Sequence, residues 1–367
     1  MKRVRVGVVG CGNISDIYLE NCAKFDHLEM VTCADLNMEL AKEKADKYNI
    51  PNVFSVEKLL SDSRIDLVVN LTPPSVHAEV CLCALNSGKH VYTEKPLAVL
   101  LEDGKRIVDT AREKGLLVGA APDTFLGAGI QTCQWLLQNG EIGEPVAATA
   151  FMMKAGPEQW HPNPEFFYQV GGGPLFDMGP YYLTVLTQLL GPIKRVAASV
   201  NTSFNERIIQ VGEKKGKKIN VKTPTHLAGT LDFENGAIAT MITSFDVVAT
   251  RLPFIEVYGT EGTLGVPDPN RFEGPVWLRK KGEENWSEIP LISGSVENSR
   301  GIGVADMASS ILYGTPFRAN GERAFHVLEA MHAFQKSSLS NKHYQLQSTC
   351  QPSPLLSNNL NFGLSFA

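Results

Sequence analysis

A β-rich run, Val4 to Val9, leads straight into Gly10-Cys11-Gly12-Asn13-Ile14-Ser15, and residues 14–24 behind it have helical character. Strand, glycine turn and helix in that order constrain this chain more than any other feature. The first glycine permits a tight turn and the second lets a pyrophosphate approach the backbone. A small third residue, here Ser15 in place of glycine, lets helix and strand pack closely. Free N–H groups and the helix dipole favour an anion at that helix start. A second apolar run, Leu28 to Ala34, ends at Asp35, about 20 residues beyond Gly12, where such folds carry the carboxylate for a ribose diol. That carboxylate repels a 2′-phosphate, and Leu36 and Asn37 supply no arginine to receive one. The motif reads as a dinucleotide site for NAD in preference to NADP. The bland alternative is an ordinary strand–turn–helix.

The rhythm continues to about residue 122. Residues 37–48 are strong helix formers with apolar positions at helical spacing. Leu67 to Leu71 is near-continuously apolar, as in a strand buried on both faces. Ser75 is a good cap for a helix that Gly88 would stop. His90 to Thr93 and Leu116 to Ala120 read as strands, and residues 99–114 as a helix closed by Gly115. Strands alternating with helices predict βαβ units and a doubly wound parallel sheet. One more helix is expected at 127–139. From Val146 the β-rich runs (Ala147 to Met153, Val196 to Asn201, Leu227 to Phe233, Ala237 to Phe245, Phe254 to Gly259) lack intervening helices, which predicts a large, mostly antiparallel sheet. Helices flank it near 181–190, 303–313 and 321–338. The expected organisation is a Rossmann domain over 1–122, an α+β domain over 123–350, and a tail over 351–367 that wraps a surface or moves freely.

Composition removes other classes. Hydrophobic residues make up 43% and charged residues 20% of 367, which excludes disorder along the chain. A net charge of −5 leaves no footprint for non-specific nucleic-acid binding. The dense basic run Lys214-Lys215-Gly216-Lys217-Lys218 reads as a solvated turn. Seven cysteines with no C-x-x-C pair argue against a disulfide framework or zinc ribbon and fit a reducing compartment. No apolar stretch approaches the ~18 residues of a membrane helix, and the short apolar start runs into the glycine motif rather than a cleavage site. The chain reads as soluble and cytoplasmic.

Four further segments follow in order: Asn70-Leu71-Thr72-Pro73-Pro74-Ser75-Val76-His77, Glu94-Lys95-Pro96, Gly171-Gly172-Gly173-Pro174-Leu175-Phe176-Asp177-Met178-Gly179-Pro180-Tyr181, and Gly259-Thr260-Glu261-Gly262. With the first glycine motif, this set resembles the Gfo/Idh/MocA oxidoreductase family over roughly residues 4–340. The resemblance implies a Rossmann domain and an α/β domain whose open sheet packs against other subunits. It also implies hydride transfer between NAD(P) and a secondary alcohol or ketone of a sugar, polyol or sugar derivative. Its lysine, with a cis bond to the following proline, maps onto Lys95 as a catalytic group, and its aspartate maps onto Asp177. The histidine that usually ends the second motif is replaced by Tyr181.

The cofactor is expected against Gly10, Gly12, Asn13, Ile14, Asp35, Leu71, Thr72, Pro73, Pro74, His77, Glu94 and Lys95, since ligands of open parallel sheets lie outside the strands' carboxyl ends. Asp177 and Tyr181, four residues apart, share a face if helical, although Pro180 would break or kink a helix there. Tyr181 is either the proton carrier, its pKa lowered by an ammonium, or a substrate-binding hydroxyl with Lys95 exchanging the proton, or a core aromatic beside Tyr182. Lys95 is otherwise a surface ammonium. Trp160 and His161, in an aromatic and polar stretch, and Asp123 are substrate candidates. His161 and His226 read equally as structural histidines. No residues have metal-ligand spacing, so no metal is expected. A small carbohydrate-like substrate and a homo-oligomer, dimer or tetramer, are the expected partners, with neither nucleic acid nor membrane. Alternatives are a redox-assisted isomerase, epimerase or lyase that recycles NAD, and a non-catalytic dinucleotide sensor.

Overall fold

A computed structural model describes residues 2–292 and 294–356. Its packing divides the chain into two compact units, residues 2–127, 294–325 and 353–356 in one and 128–292 and 326–352 in the other. The C-terminal part of the expected tail, 357–367, lies outside the described residues.

The first unit holds six strands: β1 (Val4–Val9), β2 (Leu28–Ala34), β3 (Asn52–Val53), β4 (Leu67–Asn70), β5 (His90–Thr93) and β6 (Val118–Ala120). All pair in parallel in the order β3-β2-β1-β4-β5-β6. The order reverses at β1, which makes its carboxyl end the switch point where such sheets bind ligands. All four residues of β4 are buried, as its unbroken apolar run requires. Five helices connect the strands: α1 (Ser15–Cys22), α2 (Met38–Tyr48), α3 (Val56–Ser61), α4 (His77–Asn86) and α5 (Leu101–Lys114). Asn37 caps α2 by accepting the Glu39 N–H, and Gly115 closes α5 at φ +65°. Ser75 does not cap α4. Pro74 starts a 3₁₀ turn over Pro74–Val76 that hands over to α4 at His77, so Ser75 lies inside that turn.

The second unit begins with α6 (Ala128–Gln138). Its main sheet has nine strands: β7 (Pro145–Met153), β8 (Ile193–Asn201), β11 (His226–Phe233), β12 (Ile238–Ser244), β13 (Ile255–Gly259), β14 (Gly262–Val266), β15 (Val276–Lys280), β16 (Ser287–Ile289) and β17 (Tyr344–Gln345), in the order β16-β15-β14-β13-β7-β12-β11-β8-β17. A separate hairpin, β9 (Glu206–Ile208) with β10 (Lys218–Asn220), rises between β8 and β11. Pairing is antiparallel except at the centre, where β7 and β12 run parallel. Along β7 and β12 alternate residues such as Ala148, Ala150, Met152, Ala239, Met241 and Thr243 are buried, and those between are half-buried or exposed. The sheet is therefore packed on one face only.

Helix α7 (Gly173–Leu190) packs on that sheet, Tyr182 donating to the Phe151 carbonyl of β7 at 3.4 Å. It starts eight residues before the expected position and runs unbroken through Pro180. An interior proline costs roughly 3 kcal/mol, but α7 is buried at every residue except Asp177, so packing on all sides holds the helix through it.

Helix α8 (Ile302–Tyr313) was expected beside the second sheet, and its contacts return it to the first unit. α9 (Gly321–Ser340) begins in the first unit and ends in the second. The described start of the tail is held: Arg318, itself ion-paired with buried Asp306, donates to the carbonyls of Pro354 and Leu355, both at 3.0 Å, and Arg323 donates to Ser353 Oγ.

Candidate active site

The glycine turn has the shape a dinucleotide requires. Gly10 sits at φ +98°, and a Cβ there would lie 2.7 Å from the Leu71 backbone, so no other residue fits. A Cβ on Gly12 would meet nothing within 4 Å, and Gly12, Asn13 and Ile14 are exposed at the start of α1. Ser15, in the third place, is buried, and its hydroxyl donates to the Gly12 carbonyl at 2.6 Å. Asp35 is half-buried. Its Oδ2 accepts the Cys11 N–H at 2.8 Å and its Oδ1 the Asn37 N–H at 2.8 Å, which holds the carboxylate beside the turn with lone pairs to spare. Exposed residues at a helix start, whose first N–H groups lack intrahelical partners, plus a fixed carboxylate fit the phosphates and ribose of NAD.

The loops after β4 and β5 lie at the same sheet edge. Thr72 donates to Asn70 Oδ1, and Pro73 and Pro74 stand exposed or half-buried beyond it. The Lys95–Pro96 bond is cis, as the resemblance implied. Glu94 accepts the Tyr18 hydroxyl at 2.8 Å through one oxygen and the Lys95 N–H at 3.0 Å through the other, so the backbone that aims half-buried Lys95 is fixed at its base.

Two expected contacts are taken up by the fold instead. His77 is fully buried, with Nδ1 2.7 Å from the Pro96 carbonyl and Nε2 2.8 Å from that of Thr72. Burial lowers its pKa. It braces the two loops against each other and presents no ring edge to a cofactor. Asp123 is 1% exposed, and its Oδ2 accepts the N–H groups of Gly301 and Gly303 at 2.8 and 3.0 Å. It satisfies otherwise orphaned donors at the start of α8, which accounts for its position without a substrate. Burial pushes its carboxyl up to about 6 against the pull of those two bonds.

In the second unit Asp177 and Tyr181 both lie on α7, one turn apart on one face. Asp177 is half-buried, whereas Tyr181 is 7% exposed. The one partly exposed side chain of an otherwise buried helix is thus a carboxylate. The chain enters α7 through Gly172 and Gly173. A Cβ on Gly172 would strike the Phe167 and Phe166 carbonyls, and Gly173 has φ +82°.

Those carbonyls belong to the aromatic stretch before α7. Trp160 is 58% and Phe166 56% exposed, and His161 packs edge-on against Trp160, Phe166 and Phe167. His161 Nδ1 accepts the Asn163 N–H at 3.0 Å, which orients the ring. His226 opens β11 half-buried, paired in register with buried Ser244 and bonded to its hydroxyl at 2.9 Å.

A buried ionic cluster anchors the aromatic stretch, and sequence reading did not find it. Arg207 on β9 bonds Glu158 and Asp246, Tyr168 donates to Glu158, and Thr225 donates to Asp246 at 2.7 Å. Glu158 is 3% exposed. These residues are scattered from 158 to 246 without periodicity or motif, so no local signal marks them.

Residues 4–121 match the profile of an oxidoreductase family with an NAD-binding Rossmann fold, and residues 130–265 that of a GFO/IDH/MocA C-terminal domain. A 1,5-anhydro-D-fructose reductase of Ensifer adhaerens is 29% identical over 71% of this chain and 74% of its own. A myo-inositol 2-dehydrogenase of Thermotoga maritima is 23% identical over 71% and 74%. The fold matches an NAD binding oxidoreductase from Klebsiella pneumoniae at TM-score 0.82 and 22% identity, over 94% of this chain and 98% of that one. It matches a levoglucosan dehydrogenase in complex with NADH and L-sorbose at TM-score 0.80 and 20% identity, over 95% and 100%.

Proposed function

The chain belongs to the Gfo/Idh/MocA family of oxidoreductases and carries its NAD-binding Rossmann fold, and on that premise we propose that it transfers a hydride between NAD and a secondary alcohol or ketone of a sugar, polyol or sugar derivative. The observation that carries this reading is Asp177, the single partly exposed residue of buried α7, with Tyr181 one turn on. A carboxylate and a phenol on one helix face suit a carbinol that must be oriented and relieved of a proton. The named relatives, a reductase and a dehydrogenase of polyhydroxylated compounds, support the substrate class.

In this reading the amides of exposed Gly12, Asn13 and Ile14 hold the pyrophosphate, and Asp35 holds the ribose and selects NAD over NADP. Leu71, Thr72, Pro73 and Pro74 line the cofactor's other side. The nicotinamide, when bound, supplies the redox chemistry as a hydride donor or acceptor. Tyr181 or Lys95 moves the hydroxyl proton, Glu94 fixes the backbone of Lys95, and Asp177 orients the substrate. Trp160 and His161 offer it aromatic faces.

The second unit's sheet exposes Phe254, Trp277 and Trp286 around an apolar hollow also lined by Pro253, Pro267 and Pro275. Exposed patches of this kind mark protein contacts, and a second copy of the chain, in a dimer or tetramer, is the occupant. Among the described residues no helix is long and apolar enough to cross a membrane. None of the seven cysteines is in a disulfide, which supports a reducing, cytoplasmic setting.

The test follows NADH absorbance with a panel of sugars and polyols, in both directions. Turnover with stoichiometric NADH change supports the reading. Substrate conversion without it would assign a redox-recycling isomerase, epimerase or lyase. Tight NADH binding with no conversion of any sugar would assign a sensor.

A further inference from the structure

The segment between β8 and β11, residues 202–225, carries six cationic side chains and two carboxylates in a chain of net charge −5. It is the β9–β10 hairpin, and it is fastened onto the aromatic stretch that precedes α7. Gln210 N–H donates to the Glu158 carbonyl at 2.9 Å and Lys222 N–H to that of Tyr168 at 2.8 Å. Lys214 pairs with Glu165 at 2.5 Å, and Arg207 reaches Glu158 from inside. At its far end Thr223 donates to the Gly172 carbonyl at 3.4 Å, five residues before Asp177. The hairpin is therefore fastened to the chain that leads into α7 rather than free in solvent.

Its charges divide into two groups. Arg207 is neutralised by Glu158 and Asp246, Lys214 by Glu165, and Lys218 by Glu206 at 2.8 Å. Lys215, Lys217 and Lys222 are exposed and make no direct ion pair among the described residues, although Lys217 also lies within electrostatic reach of Glu165. These three ammonium groups, within eight residues on a hairpin hydrogen-bonded to the aromatic stretch, form a positive rim. Such a rim attracts anions over about a Debye length, ~10 Å at 0.1 M salt.

We propose that the 202–225 hairpin is the specificity element of this unit's substrate site, and that Lys215, Lys217 and Lys222 select a sugar or polyol bearing an anionic group, a phosphate ester or a carboxylate. The proposal rests on the sugar-oxidoreductase reading above and narrows it. The basic run is then a recognition surface, not only a solvated turn. The rings of Trp160 and Phe166 take the apolar face of the ligand, and the ammonium groups meet its charge without a fixed bidentate geometry, as lysine does.

The test is calorimetric titration of the NADH-loaded protein with matched pairs: neutral hexoses and polyols, their phosphate esters, and the corresponding uronic acids. The anionic member of a pair is expected to bind about tenfold more tightly. The gap should close in a Lys215→Ala, Lys217→Ala, Lys222→Ala triple variant and shrink as salt rises, with NADH affinity unchanged. Neutral members binding as tightly as anionic ones, or a gap that survives the triple variant, overturns the anion preference and leaves the sugar reading standing. Absence of binding by every member of every pair removes both.

Discussion

Asp35 and Cys11 are joined by a 2.8 Å hydrogen bond from the Cys11 N–H, inside the glycine turn, to Oδ2 of the carboxylate that directly follows β2. One side chain thus shapes the turn and carries the negative charge expected to face the ribose. Coupling these roles makes the position sensitive in two separable ways.

Asp35→Asn keeps an acceptor for the Cys11 N–H and removes the charge. The ratio of NADPH to NADH dissociation constants, measured by fluorescence, should fall toward one. Asp35→Ala removes both functions, so NADH binding should also weaken, by a factor of about ten for one lost charged hydrogen bond of ~1.5 kcal/mol. Tighter binding of NADPH than NADH to the wild type would refute the assigned preference.

Asp123 makes stability depend on pH. Its folded pKa of about 6 lies above the ~3.9 of an unfolded aspartate. Between these values the folded state holds more protons than the unfolded one, so this residue's contribution falls as pH rises from about 4 to about 6 and stays low above that. Asp123→Asn keeps an oxygen for the Gly301 and Gly303 amides and removes the titration. Urea unfolding should show the variant gaining on the wild type as pH rises from about 4 to about 6.5, by at most about 3 kcal/mol, with the difference level above that. A pH-independent difference would show that the buried carboxyl does not titrate in this range.

Tyr181→Phe keeps the ring in its buried place and removes the hydroxyl. If Tyr181 carries the proton, kcat falls roughly 10²–10⁴-fold with NADH affinity unchanged. If Lys95 carries it, Tyr181→Phe chiefly raises KM and Lys95→Met is the severe change. Tyr181→His places the family's usual residue there, and retained activity would show that the position needs a proton carrier rather than a phenol. Wild-type constants and an unmoved pH profile in the Phe variant would make Tyr181 a packing residue.

The apolar hollow around Trp277 and Trp286 should govern assembly. A Trp277→Glu, Trp286→Glu variant is expected to shift light scattering to the monomer mass while keeping wild-type NADH affinity. A wild type already monomeric at micromolar concentration would dispose of the oligomer.

The first unit was legible because its information is local. Leu28–Ala34 and His90–Thr93 are strands at the expected bounds, and α2 follows its capping asparagine. The turn at Gly10 announces itself because only glycine tolerates φ +98° against the Leu71 backbone. These features depend on backbone preference and periodicity over a few residues, which a sequence displays directly.

Burial decided the rest. Asp123 and Asp177 are the same residue type in similar glycine- and proline-rich settings, yet one caps α8 in the core and the other meets solvent from a buried helix. His77 stood among the cofactor residues by motif and proved a brace between the Thr72 and Pro96 carbonyls. Pro180 marked a helix break by local rules, and α7 runs through it because surrounding packing outweighs the missing bond. The Glu158–Arg207–Asp246 cluster joins residues as much as 88 positions apart. Sequence pattern determines which elements form and where the glycine turn lies. Which polar group is desolvated, paired or left facing a ligand depends on long-range packing, because that cost is set by neighbours distant in the chain.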